Sequence, residues 1–79
     1  MKLNQFKVGQ TVKDIYGNIY TVLNVDYYQN DNIPVKLKCT KRSGKYMYVT
    51  WSNNSHYNFE YEGSESWINK DELKDFSIV

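Results

Sequence analysis

The 79 residues include one cysteine, one histidine, one proline and four glycines. A lone cysteine forms no internal disulfide, and one histidine beside one cysteine leaves no zinc-ligand set, so neither a disulfide mini-protein nor a zinc finger is expected. No apolar run approaches the roughly 20 residues that span a bilayer. The opening Met1-Lys2-Leu3-Asn4-Gln5-Phe6 has no apolar stretch of the kind a signal peptide carries. Cys39 alone fits a reducing compartment, so a cytoplasmic protein without membrane contact is expected. Asn53-Asn54-Ser55 matches a glycosylation triplet, but without a secretory signal it reads as a turn. An excess of one charge is also missing: ten Lys and Arg stand against nine Asp and Glu, for a net charge of +1. A plainly basic nucleic-acid tail is thereby excluded.

The chain is rich in apolar and aromatic residues, 41% and 16%, which argues against disorder. The length allows one small domain, covering 1–79. Phe, Tyr, Met, Ile, Asn and Lys together make 36 of the 79 residues. AT-rich codons favour these amino acids, so a low-GC bacterium, or a phage living in one, is the expected source.

No repeat or low-complexity tract interrupts the chain. Thr11 to Tyr16 is β-prone, and Asp14-Ile15-Tyr16-Gly17 has the Asp and Gly that a type I turn prefers at its first and fourth positions. Ile19 to Tyr28 reads as a long strand whose alternation falters around Leu23 to Val25, where a bulge would fit. Val35 to Thr40 and Lys45 to Trp51 are the clearest strands. Tyr57 to Glu62 alternates again, as a short strand or flap. Asn69 with Glu72 three residues later forms a capping box for about one 3₁₀ turn before a last strand at Phe76 to Val79. Five or six short strands and one 3₁₀ turn define an all-β domain, most economically a small Greek-key-like or SH3-like barrel, since closure removes exposed edges.

The run Val8-Gly9-x-x-Val12-x-Asp14-x-x-Gly17-x-x-Tyr20-x-Val22 resembles the opening hairpin of SH3-like barrels of the KOW and Tudor type. Trp67-Ile68, then Glu72-Leu73 and a final apolar strand, is similar to the 3₁₀ turn and last strand that end them. The resemblance covers about half the chain and implies a non-catalytic binding module without naming a ligand. Residues 52–66 have no counterpart in a minimal barrel of this type and read as an inserted loop or flap.

A three-residue loop, Arg42-Ser43-Gly44, would pair Cys39 with Met47, Leu37 with Val49 and Val35 with Trp51. A two-residue loop would shift the pairing by one and exchange the faces. Burial of six apolar side chains selects the first register, since each is worth about 1.5–3 kcal/mol. The outward face is then a ladder of Lys36, Lys38, Thr40, Tyr46, Tyr48 and Thr50.

The leading functional expectation is a non-enzymatic protein-binding module, of the kind a phage uses to modulate host nucleic-acid machinery. Tyr57, Phe59 and Tyr61 would anchor the partner, and Glu60, Glu62 and Glu65 would steer it. The alternative is direct DNA or RNA binding through Lys36, Lys38, Lys41, Arg42, Lys45, Tyr46 and Tyr48, with ammonium groups on phosphates and rings on bases. Tyr16, Tyr20, Tyr46, Trp51 and Trp67 are candidate rings for a cation cage, although both Trp residues fit a core role better. A Cys39/His56 dyad or a Glu60/Glu62 carboxylate pair has no supporting pattern. No enzyme, metal or cofactor is expected. The charge divides along the chain, +5 over residues 1–45 and −4 over 46–79, which predicts a basic hairpin tip opposite an acidic aromatic insertion.

Overall fold

A computed structural model of the chain describes residues 1–25, 34–49 and 59–79. It contains strands β1 (Thr11–Lys13), β2 (Ile19–Val25), β3 (Val35–Lys41), β4 (Glu65–Ile68) and β5 (Ser77–Ile78). These form one antiparallel sheet in the order β4-β3-β2-β1-β5. A first 3₁₀ turn (Leu3–Gln5) precedes β1, and a 3₁₀ helix (Lys70–Asp75) leads into β5. The all-β class and the 3₁₀ segment before the last strand therefore hold. Among the described residues the sheet does not close into a barrel: β4 and β5 lie at its opposite edges.

The alternation in β3 explains its placement. Val35, Leu37 and Cys39 are fully buried, whereas Lys38 and Thr40 are exposed and Lys36 half-buried. On β2, Tyr20 and Val22 face the same core, opposite Cys39 and Leu37. The β2–β3 register shifts between Val22 and Asn24, so Leu23 is the extra residue where the alternation falters. Leu73 and Phe76 reach the core from the 3₁₀ helix and its end, joined by Phe6, Val12 and Ile68. Asn69 caps that helix as its sequence indicates, accepting from the Asp71 amide, while Glu72 accepts from the Asn69 amide at 2.9 Å.

The hairpin expected after β3 is a correction. Gly44 does adopt a left-handed φ of 83°. Yet Lys45–Val49 forms no strand, and the edge of β3 pairs with β4 instead, Leu37 opposite Ser66 and Val35 opposite Ile68. Two backbone bonds extend this pairing, Cys39 N–H to the Ser64 carbonyl at 2.9 Å and Gly63 N–H to the Cys39 carbonyl at 2.6 Å. The tail of the supposed insertion is thus an integral sheet strand. Tyr48, expected outward, is buried in the core, while Met47 and Val49, expected inward, are half-buried. Trp51 lies outside the described residues.

The observed register is checked by a pair of substitutions on neighbouring faces of β3. Leu37→Ala should cost about 2–5 kcal/mol in urea unfolding. Lys38→Ala should stay within about 0.5 kcal/mol. Equal costs would refute the face assignment.

Candidate functional site

The β1–β2 connection is built around a buried carboxylate. Asp14 accepts four hydrogen bonds: from the Tyr16 amide at 2.8 Å, the Asn18 amide at 3.0 Å, Asn18 Nδ2 at 2.8 Å and the Tyr20 hydroxyl at 2.5 Å. Gly17 N–H donates to the Asp14 carbonyl at 3.2 Å, the bond of the expected turn, and Gly17 supplies a φ of 85° that other residues adopt only with strain. With Asp14 turned inward, Ile15 is pushed into solvent and remains 62% exposed.

Asn18 carries this arrangement across to the next segment. Its Nδ2 donates to the Tyr46 carbonyl, and its Oδ1 accepts from the Ser43 amide, both at 2.8 Å. This clasp ties the turn after β3 to the β1–β2 connection, while β2 and β4 occupy both edges of β3 and leave none for a hairpin. Tyr46 thereby stands beside Tyr16, ring centroids 5.4 Å apart, and is 65% exposed. Tyr48 turns the other way, packs on Phe76 at 4.9 Å and donates its hydroxyl to Asp75.

A surface hollow of about 350 Å³ opens between these elements. Ile15, Tyr16, Met47, Tyr48 and Val49 form its walls, and Glu72 and Asp75 on the 3₁₀ helix supply its two charges. A neighbouring hollow of about 370 Å³ shares Ile15 and Asp75 but carries Lys13 and Lys74.

Burial raises the Tyr20 and Tyr48 phenols above the ordinary tyrosine value, and donation to Asp14 and to Asp75 raises them further. Burial also pushes the Cys39 thiol up, with Arg42 opposing, so the thiol is a poor source of thiolate. His56 lies outside the described residues. No group of three or more His, Cys, Asp or Glu that could hold a metal occurs among the described residues. Among them, no helix is long and apolar enough to cross a membrane.

The residues expected to bind a partner are scattered by the fold. Phe59 is a correction: it is fully buried, edge-on to Tyr20 at 4.9 Å, and cannot anchor a partner from there. Tyr61 is 62% exposed, and Tyr57 lies outside the described residues. Glu65 pairs with Lys36 at 3.5 Å, Glu62 accepts from the Arg42 amide, and the Glu60 carbonyl accepts from Arg42 Nη1. At these points the acidic and basic halves meet, so the expected separation into two charged sides is also corrected.

The residues of the nucleic-acid alternative divide as well. Lys36 and Lys38 lie on the outward sheet face, opposite Trp67 and Glu65. Lys41 and Lys45 are exposed beyond them, Arg42 is half-buried, Tyr46 packs on Tyr16 without lining the hollow, and Tyr48 is buried in the core while lining the hollow's wall. Of the candidate cage rings, Tyr16 and Tyr46 come together, Tyr20 is buried in the core and Trp67 is half-buried on the sheet face. Ile15, Met47, Glu72 and Asp75 were not expected as site residues; an apolar residue at the centre of the Asp14–Gly17 turn was the available signal for Ile15.

The chain matches no family model, no curated protein and no solved structure.

Two measurements test the hydrogen-bonded base of the site. Asp14→Ala strands the Asn18 amide donors and the Tyr20 hydroxyl and should cost at least about 3 kcal/mol in urea unfolding. Because the two raised phenols stay protonated in the folded chain while the unfolded chain ionises near pH 10, stability should be intact below about pH 10 and fall above it. In an alkaline titration followed by phenolate absorbance, two of the eight tyrosines should ionise only with unfolding. Eight ordinary titrations in a folded chain would contradict the burial of both hydroxyls.

Proposed function

We propose that the chain is a non-enzymatic binding module of SH3-like architecture whose partner is another protein, engaged at the hollow beside Tyr16. The strand order, with β5 beside β1 and a 3₁₀ helix entering β5, supports the architecture. The observation that carries the function is an apolar and aromatic group held outward on a rigid base. Ile15 and Tyr46 present their side chains to solvent, Tyr16 stands between the turn and Tyr46, and the Asp14–Asn18 network fixes their backbones. Preorganised aromatic and aliphatic side chains around a recess are what a protein interface uses as anchors, because little conformational entropy is lost on binding. The expected anchors move accordingly, from Phe59 to Ile15, Tyr16 and Tyr46, with Tyr61 as a separate exposed ring.

A second reading, direct binding of single-stranded nucleic acid, is favoured by the outward sheet face. There Lys36 stands opposite Trp67, and Lys38 is flanked by Thr21. Its aromatic platform would be Trp67 rather than Tyr46 and Tyr48.

The two readings separate in a capture experiment from a low-GC bacterial lysate, with and without nuclease. A protein retained after nuclease treatment by the native chain, and lost with Ile15→Ser plus Tyr46→Ala, supports the first reading. Both substituted side chains are mostly exposed, so the variant should melt within a few degrees of the native chain. Retention that vanishes with nuclease, or that survives the double variant but fails in Lys36→Glu plus Lys38→Glu, moves the function to the sheet face.

A further inference from the structure

We infer that the hollow beside Tyr16 takes an arginine side chain of the partner protein. This rests on the protein-binding reading and assigns the chemistry of the occupant. Among the described residues, the charges lining the hollow are carboxylates, Glu72 and Asp75, both on the 3₁₀ helix. The rest of the lining is aromatic and aliphatic: Ile15, Tyr16, Met47, Tyr48 and Val49. A side chain that satisfies both halves needs an apolar stem and a cationic head with several donors.

Arginine meets the condition better than lysine. Its guanidinium is planar and weakly hydrated, stacks on a tyrosine ring and donates to carboxylate oxygens in the same pose. Lysine keeps a tightly hydrated point charge that loses more on entering a recess with apolar walls. A hydrophobic residue would leave the carboxylates facing apolar surface, and an acidic one would be repelled. Beyond Ile15 the neighbouring hollow sets Lys13 and Lys74 against Asp14 and Asp75, so it lacks the one-signed lining found beside Tyr16.

Glu72 and Asp75 also have structural duties, since Glu72 accepts from the Asn69 amide and Asp75 from the Tyr48 hydroxyl. Their amides keep an acceptor oxygen at each place while removing the charge. Glu72→Gln plus Asp75→Asn is therefore the informative variant, with thermal unfolding as the check on its fold.

The probes are capped peptides of sequence Gly-Gly-X-Gly-Gly, with X as arginine, citrulline, lysine, trimethyllysine or glutamate. Binding is read from the NMR methyl signals of Ile15, Met47 and Val49. The arginine peptide should shift these signals saturably at low salt, about ten-fold more tightly than the citrulline peptide, which has the same shape without the charge. Lysine should be weaker than arginine, and the glutamate peptide should leave the signals unmoved. In the folded double variant the preference for arginine over citrulline should vanish. Equal binding of arginine and citrulline by the native chain would overturn the arginine assignment while leaving the hollow as a protein-binding site. Trimethyllysine binding more tightly than arginine would replace the carboxylates by ring contacts and also overturn it. Absence of any shift with the arginine peptide defeats the assignment outright, and the capture experiment then judges the protein-binding reading by itself.

Discussion

The Asp14 carboxylate organises this end of the fold. A charge taken out of water must be compensated, and here four donors from three residues converge on two oxygens. Each donor fixes something different. The Tyr16 and Asn18 amides set the turn, the Tyr20 hydroxyl ties it to the core, and the Asn18 side chain is oriented so that its remaining groups meet the backbone of Ser43 and Tyr46. One buried group thereby determines where two separate stretches of chain cross. The exposure of Ile15 and the meeting of Tyr16 with Tyr46 both follow from that crossing.

Much of the sheet was legible in the sequence because it rests on local signals. Strict alternation marked Val35, Leu37 and Cys39 as inward, Gly17 and Asp14 marked the turn, and Asn69 with Glu72 marked the cap. The partner of β3 was not legible. Lys45 to Trp51 alternates well and follows a glycine turn, so pairing with the nearest strand is the natural default. Glu65-Ser66-Trp67-Ile68 is too short to compete on pattern. In the fold, β4 takes the free edge of β3 while Asn18 ties the turn after β3 to the β1–β2 connection, and periodicity carries no trace of either contact. The same blindness affected the site. In Tyr57, Phe59 and Tyr61 the alternation shows that one face is apolar, but not that Phe59 enters the core beside Tyr20 while Tyr61 stays outside.

The charge distribution teaches a related lesson. A basic first half and an acidic second half look in one dimension like two poles. In the fold, Arg42 holds the chain at Glu60 and Glu62, and Lys36 stands beside Glu65. The exposed Lys36–Glu65 pair adds about 0–1 kcal/mol at most, yet it shows the opposite signs acting as neighbours. One-signed charge is left only locally, as at Glu72 and Asp75 in the lining of the aromatic hollow.

The β3–β4 pairing has a temporal side. β1 and β2 are joined by a short turn and close quickly, whereas Lys38 finds Glu65 only after a long intervening stretch has been gathered in. During synthesis, β3 emerges well before the residues that cover its outer edge. Through that interval its unpaired backbone is open to other chains, with charged Lys36 and Lys38 along it to discourage them. Charge along an uncovered strand disfavours pairing with another chain, and Lys36 and Lys38 meet that condition until Glu65–Ile68 arrives.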